Sequence, residues 1–277
     1  MIGFVTDSNA QLPAELVDRY AVEVVPLIVT VDGTPYLEGV DIDADGFYAR
    51  FESGQPEVST SQPSPGQFAE AYERAAARGI DEILSVHIGS AVSGTINAAR
   101  LAAQRAPSKV RLVDTGTASF GVACCLWEAA EAVAAGASLE EAAQVAEQVG
   151  RTVDNIFIVR ALDLARAGGR LSPDAHVGDA IPVLRLVGGV METVGEARDI
   201  DEAAEVMGSF AQSWGNALRV GVGVADAGTG PLGDALATRL AAADEVLEVV
   251  RYRIGPSVGV HTGPGTVGAC YYPARKS

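Results

Sequence analysis

The feature that most constrains this chain is an alternation. Apolar, β-rich runs of about five residues are separated by longer Ala/Glu/Leu segments of helical period. That pattern builds βαβ units and a mostly parallel sheet, so an α/β fold is expected. Ile2 to Thr6 reads as the first strand and ends in the polar turn Asp7-Ser8-Asn9. Val22 to Val31 reads as one strand that turns at Asp32-Gly33, a hairpin signature. In Ser64-Pro65-Gly66-Gln67 a capping hydroxyl, a proline at the first helical position and a glutamine three residues on predict a helix start.

Glu82 to Ile88 is the next strand, and Ser93 is expected to open a helix running to about Gln104. Val110 to Val113 follows as a strand, then an Ala-rich helix and another introduced by the capping box Ser138 to Glu141. A chain of 277 residues is near the size at which one core stops growing. Two lobes are therefore expected, residues 1–152 and 153–277, with a ligand cleft between them. In the second lobe Asn155 to Val159 is strand-like, and Val183–Val187 and Val190–Val194 flank the two-residue turn Gly188-Gly189. That hairpin makes the second sheet mixed. An amphipathic helix carries Val206, Met207, Phe210 and Trp214 on one stripe, and strands follow near 219–224 and 246–253. Ile254 to Gly268 reads as a glycine-rich loop holding His261.

Charge narrows the partners. A net charge of −16 repels phosphate backbones and anionic headgroups, so nucleic-acid binding and membrane-surface binding are disfavoured. Any bound anion then needs local donors. Three cysteines, two of them adjacent at Cys124 and Cys125, make no disulfide framework. The apolar runs fall short of a membrane span and the start carries no charged leader, which makes the cytoplasm the expected location.

The candidate sites divide by context. Gly263, Gly265 and Gly268 satisfy G-x-G-x-x-G, but the segment neither follows a strand nor opens a helix, so dinucleotide binding fails. Ser93-Gly94 lacks the flanking glycines of a nucleophile elbow, because Ala91 and Thr95 stand there. A hydroxyl at a helix start is ordinarily a cap, and with the helix N–H groups it is also half of an anion site. His261 sits among glycines that let backbone approach a ligand closely. No histidine or cysteine set completes a metal site. Asp45, in an acidic stretch without the further ligands of a calcium loop, reads as a helix cap.

Several segments, in order and spacing, resemble the DegV family. They are Val5-Thr6-Asp7-Ser8, Thr60-Ser61-Gln62-Pro63-Ser64-Pro65, Ser90 with Ser93-Gly94-Thr95, Asp114-Thr115 with Ser119 and Gly121, Gly168-Gly169-Arg170, and Gly255-Pro256 through His261-Thr262-Gly263-Pro264-Gly265. The resemblance implies a two-lobe fold with a long-chain fatty acid between the lobes, its tail buried and its carboxylate held by Thr60, Ser93 and His261, with Ser61, Gly94 and Thr95 beside them. It also implies a carrier that presents the acid to a partner fatty acid kinase for acyl-phosphate formation, with Arg170 toward the partner or phosphate; separately, the chain is expected to be a monomer without cofactor. Two positions depart from the family pattern, Val92 where leucine is common and Gly89 where serine is frequent. The competing expectation is an enzyme acting on acyl esters or acyl phosphates, with Ser93 as nucleophile and His261 as base.

Overall fold

The computed structural model describes residues 1–160, 163–164 and 180–274. Strand β1 (Ile2–Asp7) lies between β2 (Glu23–Val25) and β6 (Glu82–His87), and β7 (Lys109–Asp114) pairs with the far edge of β6. All three pairings are parallel. β1 and β6 are buried almost end to end because helices cover both faces of this sheet. On one face α3 (Pro65–Ala77) and α4 (Thr95–Ala103) bring Phe68, Tyr72 and Ala98 against Val5 and Ile83. On the other, α5 (Phe120–Ala134) and α6 (Leu139–Thr152) meet Phe4, Leu84 and Val86. Both expected capping boxes form. Ser64 Oγ accepts from the Gln67 N–H at 3.3 Å while Gln67 Oε1 accepts from the Ser64 N–H at 2.9 Å, and Ser138 and Glu141 repeat the arrangement.

The single strand expected over 22–31 is two strands in two sheets. β2 stops at Val25, and β3 (Ile28–Val31) joins a small antiparallel sheet between β4 (Thr34–Leu37) and β5 (Val58–Ser61). Pro26 is the reason: it has no N–H to give the ladder. Past it, the Leu27 N–H leaves the parallel sheet for Ser8 Oγ at 2.9 Å. The hairpin at Asp32-Gly33 is as expected, with φ of 48° and 78°, the double left-handed turn that suits tightly connected strands.

The second sheet has six strands in the order β10-β9-β8-β13-β11-β12. They are β8 (Asp154–Ile158), β9 (Ile181–Val187), β10 (Val190–Ala197), β11 (Leu218–Val224), β12 (Val246–Arg253) and β13 (Val267–Pro273). Only β11 and β12 run parallel; β9 and β10 form the hairpin around Gly188-Gly189. Two helices, α7 (Ile200–Gln212) and α8 (Gly230–Ala241), supply Met207, Leu236 and Leu240 to one face.

Helix α5 is buried nearly all round, the mark of a helix enclosed by other elements. Phe120 at its start stacks on Tyr252 of β12, centroids 4.5 Å apart, and Glu128 bonds Arg219 and Tyr272 of the second sheet. The expected lobe boundary at 152/153 lies between α6 and β8, and one apolar cluster holds residues from both sides of it.

Two smaller expectations are corrected. The cap of the short helix α2 (Ala44–Tyr48) is Asp43, whose Oδ1 accepts from the Gly46 N–H at 2.7 Å, while Asp45 lies in the first turn and pairs with Arg253. The segment expected as a glycine-rich loop contains helix α9 (Pro256–Thr262), with Pro256 at its first turn and Gly263 at φ 71° ending it. Gly259 serves packing there. A Cβ on it would lie 2.7 Å from Phe47 and from the Tyr48 hydroxyl.

Candidate functional site

The cavity that concerns function is bounded by segments remote in sequence. They are the turn after β1, the start of β3, β5, the loops after β6 and β7, the second sheet, and α9. The room it leaves for the centre of a water molecule is about 140 Å³. Ile88, Phe157, Leu186, Met191, Ile254 and Val258 make most of its wall apolar. No lysine or arginine lines it among the described residues.

Thr60, Ser93 and His261 all line this cavity. Thr60 stands on the half-buried face of β5, and strand alternation puts Ser59 and Ser61 on the exposed one. Ser61, expected beside the ligand, therefore belongs to the opposite face. Thr60 Oγ1 and His261 Nε2 share a hydrogen bond at 3.4 Å, across 201 residues of sequence. Ser93 sits in the turn after β6, where the Val92 and Ser93 N–H groups both donate to the Gly89 carbonyl. Helix α4 begins two residues later than expected, and Ser93 Oγ bonds Thr95 Oγ1 at 2.8 Å and accepts from the Thr95 N–H at 3.3 Å. Thr95 is buried and orients Ser93, while Gly94 faces Gln62, whose Oε1 would lie 2.1 Å from a Cβ there. The enzyme expectation needs Ser93 against the imidazole; the structure puts Thr60 there and Thr95 against Ser93.

Gly89, one of the two departures from the family pattern, has a local reason. A Cβ there would come within 2.7 Å of the Gly116 backbone, so this turn is closed more tightly than a serine allows. Val92 lines the cavity. Arg170, with the Gly168-Gly169 that precedes it, lies outside the described residues.

Sequence reasoning missed further polar groups on the wall: Asn9, Ser119, Tyr252, Ser257 and Asn155. Asn9 Nδ2 donates to Ser257 Oγ at 3.2 Å, and Asn9 Oδ1 accepts from the Ser119 N–H at 2.8 Å. Ser119, directly before α5, is held at φ 56°, a backbone conformation that costs a non-glycine residue about 1–3 kcal/mol and concentrates at functional sites. Burial pushes the Tyr252 phenol well up and the Cys270 thiol up to about 12, so both stay protonated on the wall. A signal for Asn9 existed. It follows the carboxyl end of a parallel strand, where open α/β sheets bind ligands.

Chemically, the site offers an apolar interior with hydroxyls and an imidazole on its wall. Those groups can meet an anion without a formal cation. Among the described residues no cluster of His, Cys, Asp and Glu could hold a metal ion, and no helix is long and apolar enough to cross a membrane.

Known proteins match along the whole length. A DegV domain-containing protein of Streptomyces coelicolor is 35% identical over 274 residues, covering 96% of each chain. A DegV family protein from Thermus thermophilus, described for its fatty acid binding, superposes with a TM-score of 0.89 at 33% identity, covering 98% of this chain and 99% of that one. A Thermotoga maritima protein whose structure revealed a fatty acid binding function gives 0.86 at 26% identity, covering 98% and 99%. The family model described as "Uncharacterised protein, DegV family" matches residues 1–274, and with that span and those relatives this chain belongs to the DegV family.

Proposed function

We propose that this protein is a carrier that holds one long-chain fatty acid, the tail in the apolar cavity and the carboxylate against Thr60, Ser93 and His261. The observation that carries the reading is the coincidence in one cavity of an apolar wall with those three groups, in a fold whose solved relatives are described as binding fatty acids. The energetics favour it. Each buried methylene contributes about 0.8 kcal/mol, so a long tail offers on the order of ten kcal/mol before ordering costs. A carboxylate left without donors at the mouth of a dry pocket would forfeit much of that gain.

The reading extends to presentation of the bound acid to a kinase that forms the acyl phosphate, by likeness to the family. The acid would then leave the carrier's donors for the partner's site, and by the same likeness Arg170 is proposed for contact with the partner or the phosphate.

Native mass spectrometry of the purified protein should show a co-purified long-chain acid; a chain that stays apo after incubation with lipid would sink the carrier reading. Ser93→Ala and His261→Ala should each weaken palmitate binding by about tenfold, the size of one hydrogen bond to a charged group. Unchanged affinity in both would move the carboxylate elsewhere in the cavity.

A further inference from the structure

Glu38 follows β4 and is 6% exposed, and it is not part of the cavity wall. A buried carboxyl of this kind demands donors, and it has them. Ser8 Oγ donates to Oε2; the Ser257 N–H donates to Oε1 at 2.8 Å and Gln11 Nε2 to the same oxygen at 3.4 Å. Each donor belongs to a segment that builds the cavity. Ser257 is in the first turn of α9, the helix that carries His261, and it lines the cavity itself. Gln11 also receives the Gly255 N–H on Oε1 and donates to Ser257 Oγ at 3.2 Å, so the same pair of side chains holds both ends of the α9 entry. Ser8 accepts the Leu27 N–H at 2.9 Å and so fixes the start of β3, where Leu27 faces the cavity. Between Ser8 and Gln11 lies Asn9, which bonds Ser257 on one side and the Ser119 N–H on the other.

We infer that Glu38 is a positioning residue for the anion-holding end of the site. Its carboxyl ties together the turn after β1, the start of β3 and the start of α9, and through them sets where Asn9, Ser257 and His261 stand. This rests on the carrier reading above and deepens it by naming what aligns the head-group donors. The physical argument is one of alignment. Hydrogen bonds weaken steeply when donor geometry is lost, whereas burial of an alkyl tail is non-directional. Loss of Glu38 therefore acts on the carboxylate of the ligand and leaves the tail's contribution in place. Burial pushes the Glu38 carboxyl above the usual carboxylate range, and the donors from Ser8, Ser257 and Gln11 oppose that shift without cancelling it.

The test compares palmitate with hexadecanol, which has the same tail and no charged head, by displacement of a fluorescent fatty acid from the full chain. In Glu38→Ala palmitate should bind about tenfold more weakly and hexadecanol as in the wild type. Glu38→Gln should fall between, because its amide oxygen still accepts from Ser257 and Gln11, and the Ser8 hydroxyl can turn to accept from the amide nitrogen. Should Glu38→Ala fail to fold, Glu38→Gln decides alone, by a palmitate loss without a hexadecanol loss. Equal weakening of both probes, or no weakening of either, overturns the inference while the carrier reading stands. A wild-type chain that binds neither probe overturns both.

Discussion

Val258→Trp is expected to empty the cavity. Val258 lies one turn before His261 on α9, is half-buried and lines the apolar wall. An indole there occupies space that the tail needs close to the carboxylate, so the tail cannot pass without leaving methylenes in water. Each methylene so displaced forfeits about 0.8 kcal/mol, and about four of them amount to roughly 3 kcal/mol, a loss of two orders of magnitude in affinity. The effect exceeds that of any single head-group substitution because the tail supplies most of the binding energy. Retention of palmitate by mass spectrometry should disappear in this variant and persist in Val258→Ala, with the thermal midpoint of both close to that of the wild type. Full retention in Val258→Trp would mean that the tail takes another path.

Asp7→Ala carries the other large effect, on stability. Asp7 ends β1 with no exposure, and its Oδ2 accepts from the Ile88 N–H at 3.1 Å and shares a hydrogen bond with His87 Nδ1 at 3.0 Å. His87 Nε2 meets Ser85 Oγ at 2.6 Å, and Ser85 meets the Tyr72 hydroxyl at 3.0 Å. Serine, histidine and aspartate stand here in the order of a hydrolytic triad, but all three are fully buried, where a substrate cannot reach. Their work is to fix β1 against β6 under the turn that carries Asn9. Removing the carboxyl leaves two buried groups without partners and should lower the unfolding free energy by about 3 kcal/mol or more. Urea midpoints at constant m-value measure this; Asp7→Asn, which keeps the shape and one acceptor, should lose less. A change below about 1 kcal/mol in Asp7→Ala would refute a structural role for the network.

Much of the fold was legible because its signals are local. The two capping boxes, the Asp32-Gly33 and Gly188-Gly189 hairpins and the parallel strands over 2–6, 82–88 and 110–113 each depend on residues a few positions apart, and each formed close to where expected. The start of α9 was legible in principle from Pro256 at a first helical turn, but its glycines outweighed that signal. They proved to be there for contact, Gly259 being pressed against Phe47 and Tyr48 from another part of the chain. Pro26 likewise carried the information that the 22–31 run breaks, and only the partners of the two halves showed where each goes.

What the sequence determined by itself is the class of the fold, most of its elements, and the residue types able to meet an anion in a chain of net charge −16. Periodicity, caps and composition act within a few residues, so they can be read without knowing the neighbours. Tertiary structure alone decided that Thr60 meets His261 across 201 positions, that Ser61 faces away from both, and that Glu38 reaches Ser257 across 219. Those choices follow from how the sheets and α5 pack, because a directional bond between distant segments exists only once burial has brought its two ends together.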